Sequence, residues 1–453
     1  MARAFQDFLH STKYDDLPDE VSHYARRWVL DLIGIGAGGS TAELSRIVRN
    51  HSARHFQSRD CSVPLLFDGR AVSPLGAALA GGMTIDALDG HDGFNPAKGH
   101  AGCGVFPAAL ALAQAHGNDD GREFLTSIVL GYEIGCRAAL SLHSTVPDYH
   151  TSGAWVAVAC AGLGARALGL DAQKTRHAIG IAEYHGPRSQ MMRCIDHPTM
   201  LKDGSGWGAM AGLSAAYMAA DGFTGAPAVT VEDDGVNDIW VDLGERWLIL
   251  EQYFKPYPVC RWAQPPLQAV LNLRSEHDLT SEQVDHIEVV TFHESLRLAV
   301  CEPKTTEQAQ YSTAYPTAAA LVRGKVGIAE VSPEAFVDPE VKRIAKGMIV
   351  RESDVYNETF PHLRRAHVVI HCKDGRTLES PPTESHGDPD PGVSDEEVVA
   401  KFYSLASPVV GAERAAQIEN AVASLGSVAG VQDLTNLVCT ACDEGADRHV
   451  GAA

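Results

Sequence analysis

Residues 86–107 read DALDGHDGFNPAKGHAGCGVFP, which sets Asp86, Asp89, His91, Asp92, Lys98 and His100 among five glycines. Carboxylates and imidazoles at that density can move protons, and a lysine beside them can hold an anion. The glycines let backbone approach a ligand closely and turn N–H groups toward it. Asp86 and Asp89 end the run VSPLGAALAGGMTIDAL, which reads as a buried helix with Leu75, Leu79 and Met83 on one face. A carboxylate at the negative end of a helix, in apolar surroundings, is expected to hold its proton and so to serve as a donor.

Four further segments carry residues able to take part in such chemistry. HSTVPDYHTSGAW places His143, Asp148, Tyr149 and His150 ahead of a small-residue helix predicted over 156–168. The positive end of that helix would keep His150 neutral, as a base must be. In LKDGSGWG, Lys202 stands where another helix opens, a ready place for an anion. His185, Arg188 and Arg193 lie just upstream and offer a carboxylate clamp, although solvated arginines are the commoner outcome. FKPYPVCRWAQP presents Lys255 directly before the proline pair Pro256 and Pro258, with Arg261 just beyond it, and AQYSTAYP adds Tyr311 and Tyr315.

The elements needed to position these segments are mostly helices. Apolar periodicity predicts one over 20–35 and another that begins after Asp120 and runs to about 142. GIGAGG, at 34–39, follows the first of these rather than a strand, so it reads as small-residue packing and not as a dinucleotide loop. Pro107 is expected to open the next helix, AALALAQAH. From 247 the composition shifts. WLILEQYF, HIEVVTFHE and AHVVIHCKDGRTLESP read as strands, the last as a hairpin turning at Asp374-Gly375, with helical patterns at 266–274, 315–323 and 339–350 between them. ESHGDPDPGVSD is a linker, and a helical tail from Glu396 is expected to return to the first domain.

The expected fold is therefore mainly α with an α+β part. A large helical domain (1–254, completed by 394–453) would carry a smaller α+β domain (255–393), with the site in the cleft between them. A net charge of −21 and a pI near 5.3 exclude nucleic acid and anionic membrane as expected partners. The N-terminus has no signal-peptide core and no run reaches transmembrane length, which places the protein in the cytoplasm. The ten cysteines are scattered apart from Cys439 and Cys442, a pair without the further ligands of a zinc site, so no metal is expected.

The chain resembles the MmgE/PrpD family, whose members dehydrate, decarboxylate or epimerise small carboxylic acids. The resemblance rests on DALDGHDG…KGHAGCGVFPAALALA, YHTSGAW, LKDGSGWGAMAGLSAAYMAADGFTG, FKPYPVCRWAQP, YSTAYPTAAAL and HGDPDPGVSDEEVVAKF, in the family's order. It implies a helical domain with an inserted α+β lid, catalytic roles for Asp89, His100, His150, Lys202, Lys255 and Tyr315, no cofactor, and a homodimer. His91, Asp92, Lys98, Tyr149, His185, Arg188 and Arg261 would then surround a small anionic carboxylate. The chain departs from the family's usual Asp-Asp-Thr and His-Pro-Ser or His-Pro-Gly, having Asp92-Gly93 and His100-Ala101-Gly102 instead. The expected activity is a lyase reaction next to a carboxylate, with loss of water or CO₂. An epimerase and a carboxylate-binding homologue without turnover are the alternatives.

Overall fold

The computed structural model describes residues 2–427 and 430–442. Its organising helix is Pro74–Asp86, capped by Ser73, whose side chain accepts from the Gly76 N–H. All its residues except Leu75 are buried, as an all-round apolar helix requires. Its small residues let neighbours come very close. A Cβ on Gly82 would fall 2.5 Å from Cα of Gly206, and one on Gly206 would fall 2.5 Å from the Leu79 carbonyl oxygen. That contact seats the N-terminus of helix Ser205–Ala220 against the end of Pro74–Asp86, which brings Lys202 to the loop that begins at Ala87. Helix Gly153–Ala167 packs along the other side of Ser205–Ala220.

Helix Asp19–Gly39 swallows GIGAGG whole: Gly34 faces Phe402 and Gly39 meets the Thr84 carbonyl. The glycines thus serve close packing inside a helix. Helix Gly102–Ala115 starts earlier than its sequence suggests, and Pro107 lies within it, because the buried glycines before Pro107 can coil although their composition reads as loop. Gly121–Thr145 is long and apolar enough by length and composition to cross a membrane, contrary to the sequence reading, but 89% of its apolar window is buried inside the fold.

The α+β part holds a five-stranded sheet in the order Ile349–Glu352, Val284–Thr291, Arg365–Cys372 and Thr377–Glu379, with Thr383–Glu384 also on Arg365–Cys372. Ile349–Glu352 runs parallel to Val284–Thr291, and the other pairings are antiparallel. Burial alternates along Arg365–Cys372, with Gln264–Glu276 and Pro339–Gly347 packed on the sheet. Two segments depart from expectation. Helix Pro339–Gly347 stops at a glycine, and the β-branched residues after it form the parallel edge strand. In 247–254 only Gln252–Tyr253 is strand, and it pairs with Gly93–Phe94, which ties the loop of Asp89 to the segment carrying Lys255. Helix Asp395–Val410 closes the molecule by packing on Asp19–Gly39.

Candidate active site

Asp89, Lys98 and Lys202 all adopt left-handed backbone conformations (φ 48°, 56° and 51°), which cost energy for residues with a Cβ and concentrate at functional sites. The turn at Asp89 aims its carboxylate at Lys255. The ammonium lies 2.5 Å from Asp89 Oδ1 and donates also to the Asp89 carbonyl at 2.8 Å. Both side chains are buried. Burial alone would raise the Asp89 pKa, but Lys255, and then Lys202, His100 and His91, outweigh it and hold the carboxyl well below the usual range. Burial likewise opposes the charge of Lys255, and Asp89 more than restores it. The expectation that Asp89 keeps a proton is therefore overturned: the lysine that decides its charge counts for more than the helix end.

His100 is the group placed to accept a proton. Its Nδ1 lies 2.7 Å from the Asp92 carbonyl, which can only accept, so this hydrogen-bond network assigns the ring proton to Nδ1 and leaves Nε2 bare. Nε2 stands 3.9 Å from Asp89 Oδ1. Burial, then Lys255 and His91, drives the His100 pKa well below that of an ordinary imidazole, so the ring is neutral. Its backbone N–H donates to Ser152 Oγ at 2.9 Å, which fixes the loop to the start of helix Gly153–Ala167. His91 behaves in the opposite sense. Burial would lower its pKa, but contact with Cys103 and a 3.2 Å bond to Asp86 raise it well above normal. Asp92, buried and close to the Asp31 carboxylate, is pushed up to about 6.

Cationic groups converge from several elements. Lys202 is buried, donates to Gln310 Oε1 at 2.5 Å and sits 4.7 Å from the centre of the Tyr311 ring. Lys98 sits 4.7 Å over the Tyr149 ring. Asp89, Lys98, His100, Trp262, Tyr311 and Arg364 line a closed cavity of about 10 Å³, about the room of one water. A larger one of about 480 Å³ opens beside Lys202, walled by Gln190, Arg193, Cys194, Leu201 and Trp207.

Arg364 escapes the sequence reading. It is buried, its guanidinium lies over Tyr253 and Phe360, and its Nε has no hydrogen-bond partner among the described residues. The run LRRAH shows only two arginines before a strand, with no spacing signal. Tyr315 is a correction of the opposite kind. Its hydroxyl donates to the Glu330 carbonyl at 2.8 Å and it faces a different cavity, while Tyr311, four residues earlier, reaches the site.

The remaining expected residues are distributed as follows. Arg261 reaches the cavity wall but is committed to the carbonyls of Phe254, Ser385 and His386 and to Asp388 at 2.8 Å, which makes it a brace for the loop of 385–388. His185 and Arg188 are exposed and away from the cavity, because helix Ala172–His185 ends at the surface there. His150 is half-buried. Its backbone N–H donates to His143 Nε2 at 3.0 Å and it bridges Gln190, but it does not line the cavity of Asp89 and His100. Tyr149 packs against Trp262 at the rim, its hydroxyl on Met192 Sδ. Asp86, Asp89 and His91 are close enough to share a cation, but Asp89 already holds the Lys255 ammonium.

Two family models match successive parts of the chain. The MmgE/PrpD N-terminal domain matches residues 3–245 and the MmgE/PrpD C-terminal domain residues 257–427. A cis-aconitate decarboxylase-like protein of Aspergillus oryzae is 25% identical, the alignment covering 95% of this chain and 96% of that one. The cis-aconitate decarboxylase of Mus musculus is 22% identical over 97% of this chain and 93% of its own length. That of Aspergillus terreus is 22% identical over 94% and 93%.

Proposed function

The chain belongs to the MmgE/PrpD family, and from that premise we propose that it is a lyase acting on a small di- or tricarboxylic acid, removing a proton next to a carboxylate with loss of water or CO₂. The observation that carries this reading is His100, neutral, with a bare Nε2 in a cavity that Arg364 lines, with Lys255 behind Asp89 and Lys202 behind Tyr311. A carbon acid beside a carboxylate is weakly acidic, so its removal demands a positioned base and fixed positive charge for the enediolate. His100 supplies the first, and the two lysines with Arg364 supply the second. Because Asp89 is ionised, its work is to orient Lys255. Protonation of a departing hydroxide, or of carbon after CO₂ has left, falls to Lys202 or Tyr311. Each step uses side chains alone, so turnover should survive exhaustive chelation.

Incubating the enzyme with a panel of polycarboxylic acids in deuterated water, followed by proton NMR and mass spectrometry, tests the reading. Loss of water or CO₂ is expected. Inversion of a stereocentre with solvent label and conserved mass would make it an epimerase, and tight binding without turnover or exchange would make it a binding protein. Loss of turnover on EDTA treatment while the fold stays intact by circular dichroism, reversed by a metal, would overturn the cofactor-free mechanism. We also take the protein to be a homodimer, which sedimentation would check.

A further inference from the structure

A second set of ligating side chains lies on the outward face of the sheet, and none of them lines the catalytic cavity. His286 and Glu288 are two residues apart on strand Val284–Thr291, so they project to the same face. The antiparallel register sets His371 of strand Arg365–Cys372 directly opposite His286. We propose that His286, Glu288 and His371 form a binding site for a divalent transition cation of the zinc type, which clips these two strands together.

The geometry comes close to what such an ion needs. Glu288 Oε1 lies 3.5 Å from His371 Nε2 and 4.0 Å from His286 Nε2. Donors bound tetrahedrally at 2.0–2.1 Å stand about 3.4 Å apart, so a small rotation of the side chains closes the set. The imidazoles are stacked, with centroids 4.3 Å apart and planes at 11°, on rigid paired strands. His286 Nδ1 is engaged by Asp285 Oδ2 at 2.9 Å, which places its proton there and leaves Nε2 as a free lone pair. A carboxylate on the far nitrogen is how metal-bound histidines are commonly held. His371 Nε2 is shielded from solvent and has no hydrogen-bond partner among the described residues. Arg351 approaches the other oxygen of Glu288, at 3.6 Å, and leaves Oε1 for the ion. Two imidazoles and one carboxylate suit zinc, with water as the fourth ligand.

The test uses the full chain with its thiols kept reduced. Zn²⁺ is titrated in competition with a chromophoric chelator, and thermal unfolding is followed in parallel. One equivalent should bind per chain and raise the unfolding temperature. The His286→Asn/His371→Asn double variant should lose that equivalent and the shift, and Asp285→Asn should weaken binding by about tenfold to a hundredfold. If the double variant does not fold, Glu288→Gln takes its place, since it leaves the ring stack intact. Absence of a bound equivalent, or its survival in these variants, overturns the proposal.

Discussion

His100 carries its proton on the nitrogen that faces the Asp92 carbonyl, and its pKa lies well below the ordinary imidazole value of 6.5. A base works in its neutral form, so activity is present above its pKa and is lost as pH falls through it. With the pKa depressed, kcat/KM should stay flat on descending through pH 6.5 and fall only at a lower pH; a midpoint near 6.5 would point to another base. His100→Gln should abolish turnover, and if it does not, His150 becomes the candidate. Lys202→Met should lower kcat by about two to three powers of ten, the scale of removing one donor from a charge-stabilising site, with the fold intact by circular dichroism. Near-normal turnover would return Lys202 to a structural role. Asp89, His100, Lys202 and Lys255 were legible as chemistry because their residue types stand out in glycine-rich or proline-bounded segments. The charge of Asp89 was not, since Lys255 lies 166 positions away and only the fold brings the two together. Tyr311 and Tyr315 stand four apart, but the chain is not helical between them: Tyr311 closes one short helix and Ala314–Arg323 starts anew, so spacing could not show which ring faces the site.

At the scale of elements, the turn before helix Ser205–Ala220 is a junction. Asp203 accepts from the Ser152 backbone N–H and hydroxyl, its carbonyl accepts from Gly153 N–H at 3.1 Å, and its own N–H donates to Asp86 at 3.2 Å. Burial, then the neighbouring Asp86 carboxylate, pushes the Asp203 pKa up to about 7 from an ordinary 3.8. The folded state thus binds this proton more tightly than the unfolded chain does. The stability it contributes is fully present below about pH 4 and is lost as pH rises through about 7. Asp203→Asn removes that titration but keeps an acceptor for Ser152, so the fall in stability between about pH 4 and 7 should become shallower, with Asp31, Asp92 and Glu133, the other buried carboxyls whose pKa burial raises, contributing to what remains. Denaturant unfolding at several pH values reads this, and an unchanged slope would contradict it. These helices were visible in the sequence through their small apolar residues. Their closest contacts were not, because nothing local pairs Gly82 with Gly206. The strand assignments failed where composition stood in for partners: 247–254 has β-type residues, but only two of them find a strand to bond with.

For the molecule as a whole, the decisive contact joins the first helix of the C-terminal tail to the loop of Asp89 and His100. Lys401, on helix Asp395–Val410, lies 2.7 Å from Asp31 Oδ1 and donates to the Gly90 carbonyl at 2.6 Å, over the Phe254 ring. Asp31 is fully buried, and burial raises its pKa in spite of Lys401. Removing the ammonium leaves a carboxyl stranded in the core, so Lys401→Met should destabilise the protein by about 3–5 kcal/mol. Asp31→Asn in the same chain removes the stranded charge. The double variant should therefore lose clearly less stability than the two single changes summed, the sign of direct coupling. Activity should not recover with it. Gly90 follows Asp89 directly, and without Lys401 its carbonyl is unheld in both variants, so the loop that aims Asp89 at Lys255 is free to shift. A double variant restored in both stability and turnover would show that Lys401 serves the core alone; stability recovered with kcat still depressed would show that the tail positions the catalytic loop.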